Sequence, residues 1–476
     1  MITFLICLGA LVAAYFTYGK YLERVSGADN SLATPCHRLA DGIDYIEMPR
    51  WRVFLIQLLN IAGTGPIFGA ILGACFGPVA FLWITLGGIF FGAMHDYLSG
   101  MMIVRDDGRS LPEVAGKYLG SGTKFFMRWF SVVLLLLVGA VFMQSPAELL
   151  GNLTGSIPAS VWIYVILAYY VIATVLPVDK VIGKCYPVFG AALIFMALGL
   201  LGVLLFGSYT IPELTSFHNY QADPEAFPIV PTLFITIACG AISGFHATQS
   251  PMMARCVGNE RQCRSVFFGS MISESIIALI WAAVAMAFFG GASPLGSELA
   301  AHGNNPAWAV DVISHTTLGK IGSILAILGV VAAPITSGDT AFRSARLIIS
   351  DMFNFDQRPV LNRFAVCIPI FIIGYGITLF NFGVVWRYFA WSNQALATIT
   401  LWAIYAWLAR RKSNTWVALI PAIVMTYVIT TFVLLSPQFL GLPDHTLCYA
   451  LGGVITLVIS VLMMRTFGRS CAVAEK

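Results

Sequence analysis

The chain has 476 residues, of which 58% are hydrophobic and only 11% charged. That balance excludes a soluble globular domain, because apolar runs of roughly 20 residues, each able to cross a bilayer as a helix, recur along the whole length. The formal net charge of +4 carries no nucleic-acid signal, and the 10 cysteines are scattered without a CxxC pair or metal-ligand spacing, so neither a disulfide framework nor a zinc site is expected.

The apolar runs do not alternate with polar residues as barrel strands do, so the sequence reads as an all-α polytopic membrane protein. Thirteen spans are expected, near 2–19, 51–74, 78–103, 124–143, 159–178, 185–206, 230–254, 265–290, 319–348, 360–381, 384–409, 414–435 and 445–466. The first run lacks a basic n-region and is followed by Lys20 and Arg24, which reads as a retained anchor rather than a cleaved signal. Between spans three and four, Gly108 to Gly120 predicts a short surface helix, with Ser110 as N-cap, Pro112 in the first turn and Glu113 at the capping-box position. Residues 291–318 form the largest loop on the opposite side, with a helix expected from Pro306 to Thr317.

Following thirteen crossings places all of the 27 Lys and Arg residues on one side except Lys320 and Arg387. The positive-inside rule makes the basic side cytoplasmic, with the N-terminus outside and the C-terminus inside.

Two spans contain helix breakers at mid-length. In span two these are Asn60-Ile61-Ala62-Gly63-Thr64-Gly65-Pro66, and in span seven Cys239 to Pro251. Proline removes a backbone donor and glycine weakens the helix. Freed backbone groups at membrane depth must face protein or a wet cavity. The two spans are an odd number apart, so they run in opposite directions. Interrupted helices at matching places in two inverted halves point to a transporter's central site. The division that follows has an added helix and cytoplasmic loop over 1–50, repeats over 51–206 and 230–409, and two added helices over 414–476.

Three long motifs resemble the carbon starvation protein A family: Asn60 to Ala70, Gly92-Ala93-Met94-His95-Asp96-Tyr97-Leu98-Ser99-Gly100-Met101, and Trp386 to Ala397. The resemblance implies an inner-membrane nutrient transporter associated with peptides and, for some members, pyruvate. It also implies a leucine-transporter-like 5+5 inverted repeat, in agreement with the two broken helices. The expected partners are a small-molecule substrate and the lipid bilayer, with no nucleic acid; no oligomeric state is read.

The breaks are the first candidate site. Half-helix N-termini suit a substrate carboxylate and unwound carbonyls suit a cation. Asn60, Gly63, Thr64, Gly65, Ser243, Gly244, His246, Gln249, Asn393 and Gln394 are the candidate substrate residues. His246, inside the second break, is either a carboxylate ligand or proton shuttle or a packed histidine. Gln249, Asn393 and Gln394 either bond a peptide backbone or glue helices.

Thr336-Ser337 in span nine resembles the hydroxyl pair that completes a sodium site in symporters of that fold, with Ala62 and Gly65 supplying carbonyls. The alternative is two hydroxyls bonded back to their own helix. No resident cofactor is expected, only Na⁺ or H⁺ as coupling ion. Glu274, between two serines in span eight, is read as a coupling carboxylate, a fixed anion beside a cation, or an acid held by serines. Asp339, Arg343 and Arg346 share a helix face as an inner gate or a structural pair. His95 and Asp96 are neighbours about 100° apart on a helix, with Asp96 expected to anchor the basic cytoplasmic rim. Arg387, on the basic-poor side, is either a carboxylate clamp or a snorkelling side chain.

No Walker motif, HExxH or GxSxG is present, so ATP-driven transport and intramembrane hydrolysis are not expected. A secondary active transporter using alternating access is the leading expectation, and a channel assembled from symmetric subunits does not suit inverted breaks.

Overall fold

A computed structural model describes residues 1–42, 44–175, 178–357 and 359–468. Arg358, Arg469 and Lys476, assigned above to the basic side, lie outside the described residues, as do the side chains of Lys180, Lys184 and Lys320. Among the described residues there is no strand, and a helix occupies each of the expected spans. Among the described residues eight helices are long and apolar enough to cross a membrane, and the bent pair Arg50–Ile61 and Gly65–Ala74 makes a ninth. The other expected spans fall on Ala159–Val175, the pieces between Ile229 and Ala254, Pro306–Phe353 and Phe382–Arg410. Of these, Phe382–Arg410 carries Asn393 and Gln394 within its length, and Pro306–Phe353 carries Asp339, Arg343 and Arg346.

Burial separates the centre from the rim. Val79–Arg105 and Arg264–Phe288 are 78% and 83% buried inside the protein, whereas Val360–Thr378 and His445–Phe467 are only 22% buried. An apolar helix whose Leu361, Ile372 or Leu457 faces outward is stable only against hydrocarbon. Spans two, three, seven and eight pack together at the centre, while Ser121–Thr154 and Pro306–Phe353 share the largest helix–helix interface beside them. These two are span four and its counterpart span nine, so the scaffold also pairs across the two halves.

Two expectations need correction. The second break is shorter than 239–251: the chain leaves helix at Ile237 and resumes it at Gly244. Gly240, at φ +91°, takes the turn. Pro251 is accommodated inside the helix Gly244–Ala254. The helix expected from Pro306 to Thr317 is present, and Gly319, at φ +62° and ψ −172°, separates it from span nine. The capping box at Ser110 does not form. Pro112 lies in the first turn as expected, but Ser110 makes no side-chain cap. Glu113 instead pairs with Lys124 and Arg128. Although partial burial pushes the Glu113 carboxyl up, the Lys124 ammonium and the Arg128 guanidinium outweigh it and hold it below its ordinary value.

The basic side is stitched shut. Arg105, at the end of span three, forks onto Glu260 (2.9 and 2.8 Å) and reaches the Gly27 carbonyl (2.6 Å). The Asp29 N–H also donates to Glu260 (2.8 Å). His37 bonds the Gly258 carbonyl (3.0 Å) and the Met48 N–H donates to that of Cys256 (3.2 Å). Residues 20–50 thus tie span one to the loop between spans seven and eight. On the opposite side a cavity of about 710 Å³ opens between the ends of spans two, seven, eleven and twelve.

Candidate functional site

The two breaks abut. Span two leaves helix after Ile61 and resumes at Gly65 after a 50° bend. A side chain at Gly65 would collide with the Cβ and Sγ of Cys239. Gly69 lies under the Thr236 carbonyl, and Gly63 beneath the Phe142 ring. Glycine at these positions lets the two backbones approach more closely than any other residue would allow.

Span eleven holds the second break in shape. The side-chain oxygen of Asn393 accepts from the Phe245 N–H (2.7 Å) and the Ser243 hydroxyl (3.1 Å), capping the helix that starts at Gly244. Gly244 itself packs on the Asn393 and Ala397 backbone. Gln394 donates to the Phe234 carbonyl (3.0 Å) on the other side of the break. Both amides therefore act on the broken backbone. Gln249 donates to Thr248 (3.0 Å) and its carbonyl oxygen has no partner among the described residues. Thr64 lies 3.5 Å from Ser145 of span four.

Behind the breaks lies a fully buried chain of titratable groups. Asp96 accepts from both imidazoles: Oδ1 is 2.8 Å from His95 Nδ1 and Oδ2 is 2.8 Å from His246 Nδ1. His246 Nε2 faces Glu274 Oε2 at 3.3 Å. Every member is sealed from solvent. His246 sits in the first turn after the break, not within it, and Asp96 meets two histidines rather than the basic rim. Ser273 and Ser275 do not hold Glu274, since each hydroxyl donates to its own helix, at Gly269 and Met271. His246 Nε2 and both Glu274 oxygens make no hydrogen bond with any described residue, so their facing at 3.3 Å is an approach of two titratable groups. A charge here is costly in the interior, so the cluster favours states in which carboxylates and protons balance.

Ligand atoms of Cys239, His246 and Glu274 lie within 4.8 Å of one another. The thiol accepts from Asn393 Nδ2 (3.6 Å) and donates to Ser243 (3.7 Å), and the imidazole faces both carboxylates. Of the sodium candidates, the Ser337 hydroxyl donates to the Leu59 carbonyl (2.7 Å), one turn before Ala62, and the Thr336 hydroxyl to Ala333 in its own helix (2.8 Å). Ala62 and Gly65 flank the bend itself. Asp339 and Arg343 lie 3.5 Å apart, and Arg343 also donates to the Ala173 carbonyl (3.2 Å). Together with Arg346 they line a crevice among spans five, nine and ten, away from the breaks.

Two features escaped sequence reading. Gln57 lies one turn before Asn60, and all four side-chain amide atoms of the two residues are buried without a protein partner among the described residues. Its signal was a glutamine in an apolar run. Phe142, which covers Gly63, had none.

Comparison with known proteins fits this geometry. The profile of the family described as Carbon starvation protein CstA matches residues 1–154, 150–320 and 307–433. An uncharacterized membrane protein of Haemophilus influenzae is 42% identical over 63% of this chain and 95% of its own. A protein of Bacillus subtilis named peptide transporter CstA is 26% identical over 82% of each chain. The pyruvate/proton symporter BtsT of Escherichia coli is 25% identical over 56% of this chain and 46% of its own. Among solved structures, MhsT in complex with L-phenylalanine superposes with a TM-score of 0.58 at 15% identity, over 88% of this chain and 98% of that one. That likeness concerns the fold, which is the leucine-transporter type with two broken helices. On the matched profile and its extent, the chain belongs to the carbon starvation protein CstA family.

Proposed function

We propose that the protein is a proton-coupled secondary transporter that imports small carboxylate-bearing nutrients across the plasma membrane, with peptides as the first substrate class. The observation that carries this reading is the Asp96–His246–Glu274 chain, fully buried one turn from where two broken helices meet. A proton loaded there is lost or gained only when the bundle around it opens, which is what coupling requires. The relatives named as peptide transporters support peptides, and the relative named as a pyruvate/proton symporter supports both the proton and a second reading, pyruvate.

In this reading the cavity of about 710 Å³ is the outward vestibule and the stitched basic side is the closed cytoplasmic face. The N-terminus is then outside and the C-terminus inside. Solute enters from the vestibule and meets the break, where the positive dipole end of the half-helix Gly65–Ala74 faces its carboxylate. The unpartnered amides of Gln57 and Asn60 supply donors and acceptors on the cytoplasmic half. Protonation of the His246–Glu274 pair removes charge from the interior and lets the loaded bundle rock to the other side. The proton is read as the coupling ion because the Asp96–His246–Glu274 chain is buried beside the breaks; the Thr336 and Ser337 hydroxyls donate to carbonyls and keep their lone pairs.

Purified protein in proteoliposomes tests this. An inward proton gradient is expected to drive accumulation of alanylalanine or pyruvate above the equilibrium level, while a sodium gradient alone does not. Accumulation that follows sodium and ignores pH would overturn the proton assignment, and absence of uptake under either gradient would overturn transport itself.

A further inference from the structure

We propose that Arg387 forms an outer recognition subsite for the carboxylate of the transported solute, a step before the central break; this rests on the transporter reading above. Among the described residues Arg387 is the one basic residue on the wall of the 710 Å³ cavity. Its Nε donates to the Gly383 carbonyl (3.2 Å), which fixes the root of the guanidinium. Among the described residues no carboxylate lies within the 4.0 Å ion-pair limit of it. Asp223, the acid on the same wall, has one oxygen occupied by the Ala226 N–H (2.9 Å).

Such a charge is out of place by membrane topology, since nearly every other basic residue lies on the opposite side. It is half-buried on an apolar wall that includes Phe76, Phe227, Phe382 and Trp386. That setting lowers the local dielectric and strengthens attraction for an anion. A planar fork with free terminal nitrogens matches a carboxylate in bidentate fashion. The Trp386 indole N–H, on the same wall, has no partner among the described residues.

The subsite connects to the break through aromatic rings. Trp386 stands edge-to-face on Phe389 (5.4 Å), Phe389 on Phe142 (6.2 Å), and Phe142 covers Gly63. A solute held at Arg387 therefore rests directly outside the aromatic row that closes over the first broken helix. The subsite selects solutes with a free carboxylate, whether a small monocarboxylate or the C-terminal end of a peptide.

The test compares initial uptake of pyruvate and alanylalanine with that of pyruvamide and alanylalanine amide in proteoliposomes. Arg387→Gln is expected to raise KM for the free acids roughly tenfold, the loss of one charge-assisted contact, and to leave the maximal rate and the amides unchanged. Arg387→Lys keeps the charge without the fork and raises KM by less. It also decides the matter if the glutamine variant does not purify. Wild-type uptake of free acids that is indifferent to both substitutions overturns the subsite alone, as does an equal rise for acids and amides. Wild-type vesicles that accumulate none of the four compounds overturn the transporter reading, and the subsite with it.

Discussion

Gly65→Ala isolates the contact between the two breaks. Position 65 has no left-handed φ, so its backbone tolerates alanine. As the first residue of a helix, alanine there would ordinarily gain up to about 1 kcal/mol. Its methyl group would instead fall on the Cβ and Sγ of Cys239. Over-packing of this kind costs about 1–3 kcal/mol. Cys239→Gly removes the obstructing atoms at its own cost of roughly 1–2 kcal/mol for the space left behind. In that background Gly65→Ala is expected to be neutral or stabilising, so the cycle gives a coupling energy of about 1–3 kcal/mol. Fluorescence-detected thermal denaturation of the four proteins in one detergent reads it. Strictly additive effects of the two substitutions would mean that residues 65 and 239 do not touch, and the reasoning about abutting breaks would fail.

Asn393→Leu strands the Phe245 N–H and the Ser243 hydroxyl and is expected to cost about 2–4 kcal/mol, while Asn393→Asp keeps the acceptor and much of the stability; the same denaturation assay compares them. Arg105→Gln releases Glu260 and the segment around Gly27, so tryptic cleavage at Arg38 is expected to accelerate several-fold over wild type. The Glu113 carboxyl lies below its ordinary value of 4.5, so its pairing with Lys124 and Arg128 stabilises the fold above that pH and fades as pH falls through the lower folded value. Glu113→Gln is therefore expected to lower stability at pH 7 by about 1 kcal/mol or less, with the gap to wild type closing in acid; denaturation midpoints across pH 3–7 check it.

The fold was legible because membrane helices announce themselves by length, and because the basic residues sort the crossings into two sides. The first break was legible almost to the residue, since Gly63, Gly65 and Pro66 are themselves its cause. The second was read too long: Pro251 looks like a breaker, but the interruption is made at Gly240 and finished by the Asn393 cap, 150 residues away in sequence. The same distance hid the site's chemistry. His246 and Glu274 were singled out as lone groups, yet their link to Asp96 is a packing event between spans three, seven and eight that no local pattern encodes. Asp96 meets two histidines rather than the rim for the same reason: periodicity fixes the face of a helix but not its neighbour.

The most direct measurement is a comparison of exchange with net accumulation in proteoliposomes carrying Glu274→Gln. The substituted amide keeps the shape of the side chain but holds no transferable proton. Substrate-for-substrate exchange is expected to persist, with gradient-driven accumulation reduced to the equilibrium level. Accumulation in Glu274→Gln equal to that of the unmodified protein would contradict the account.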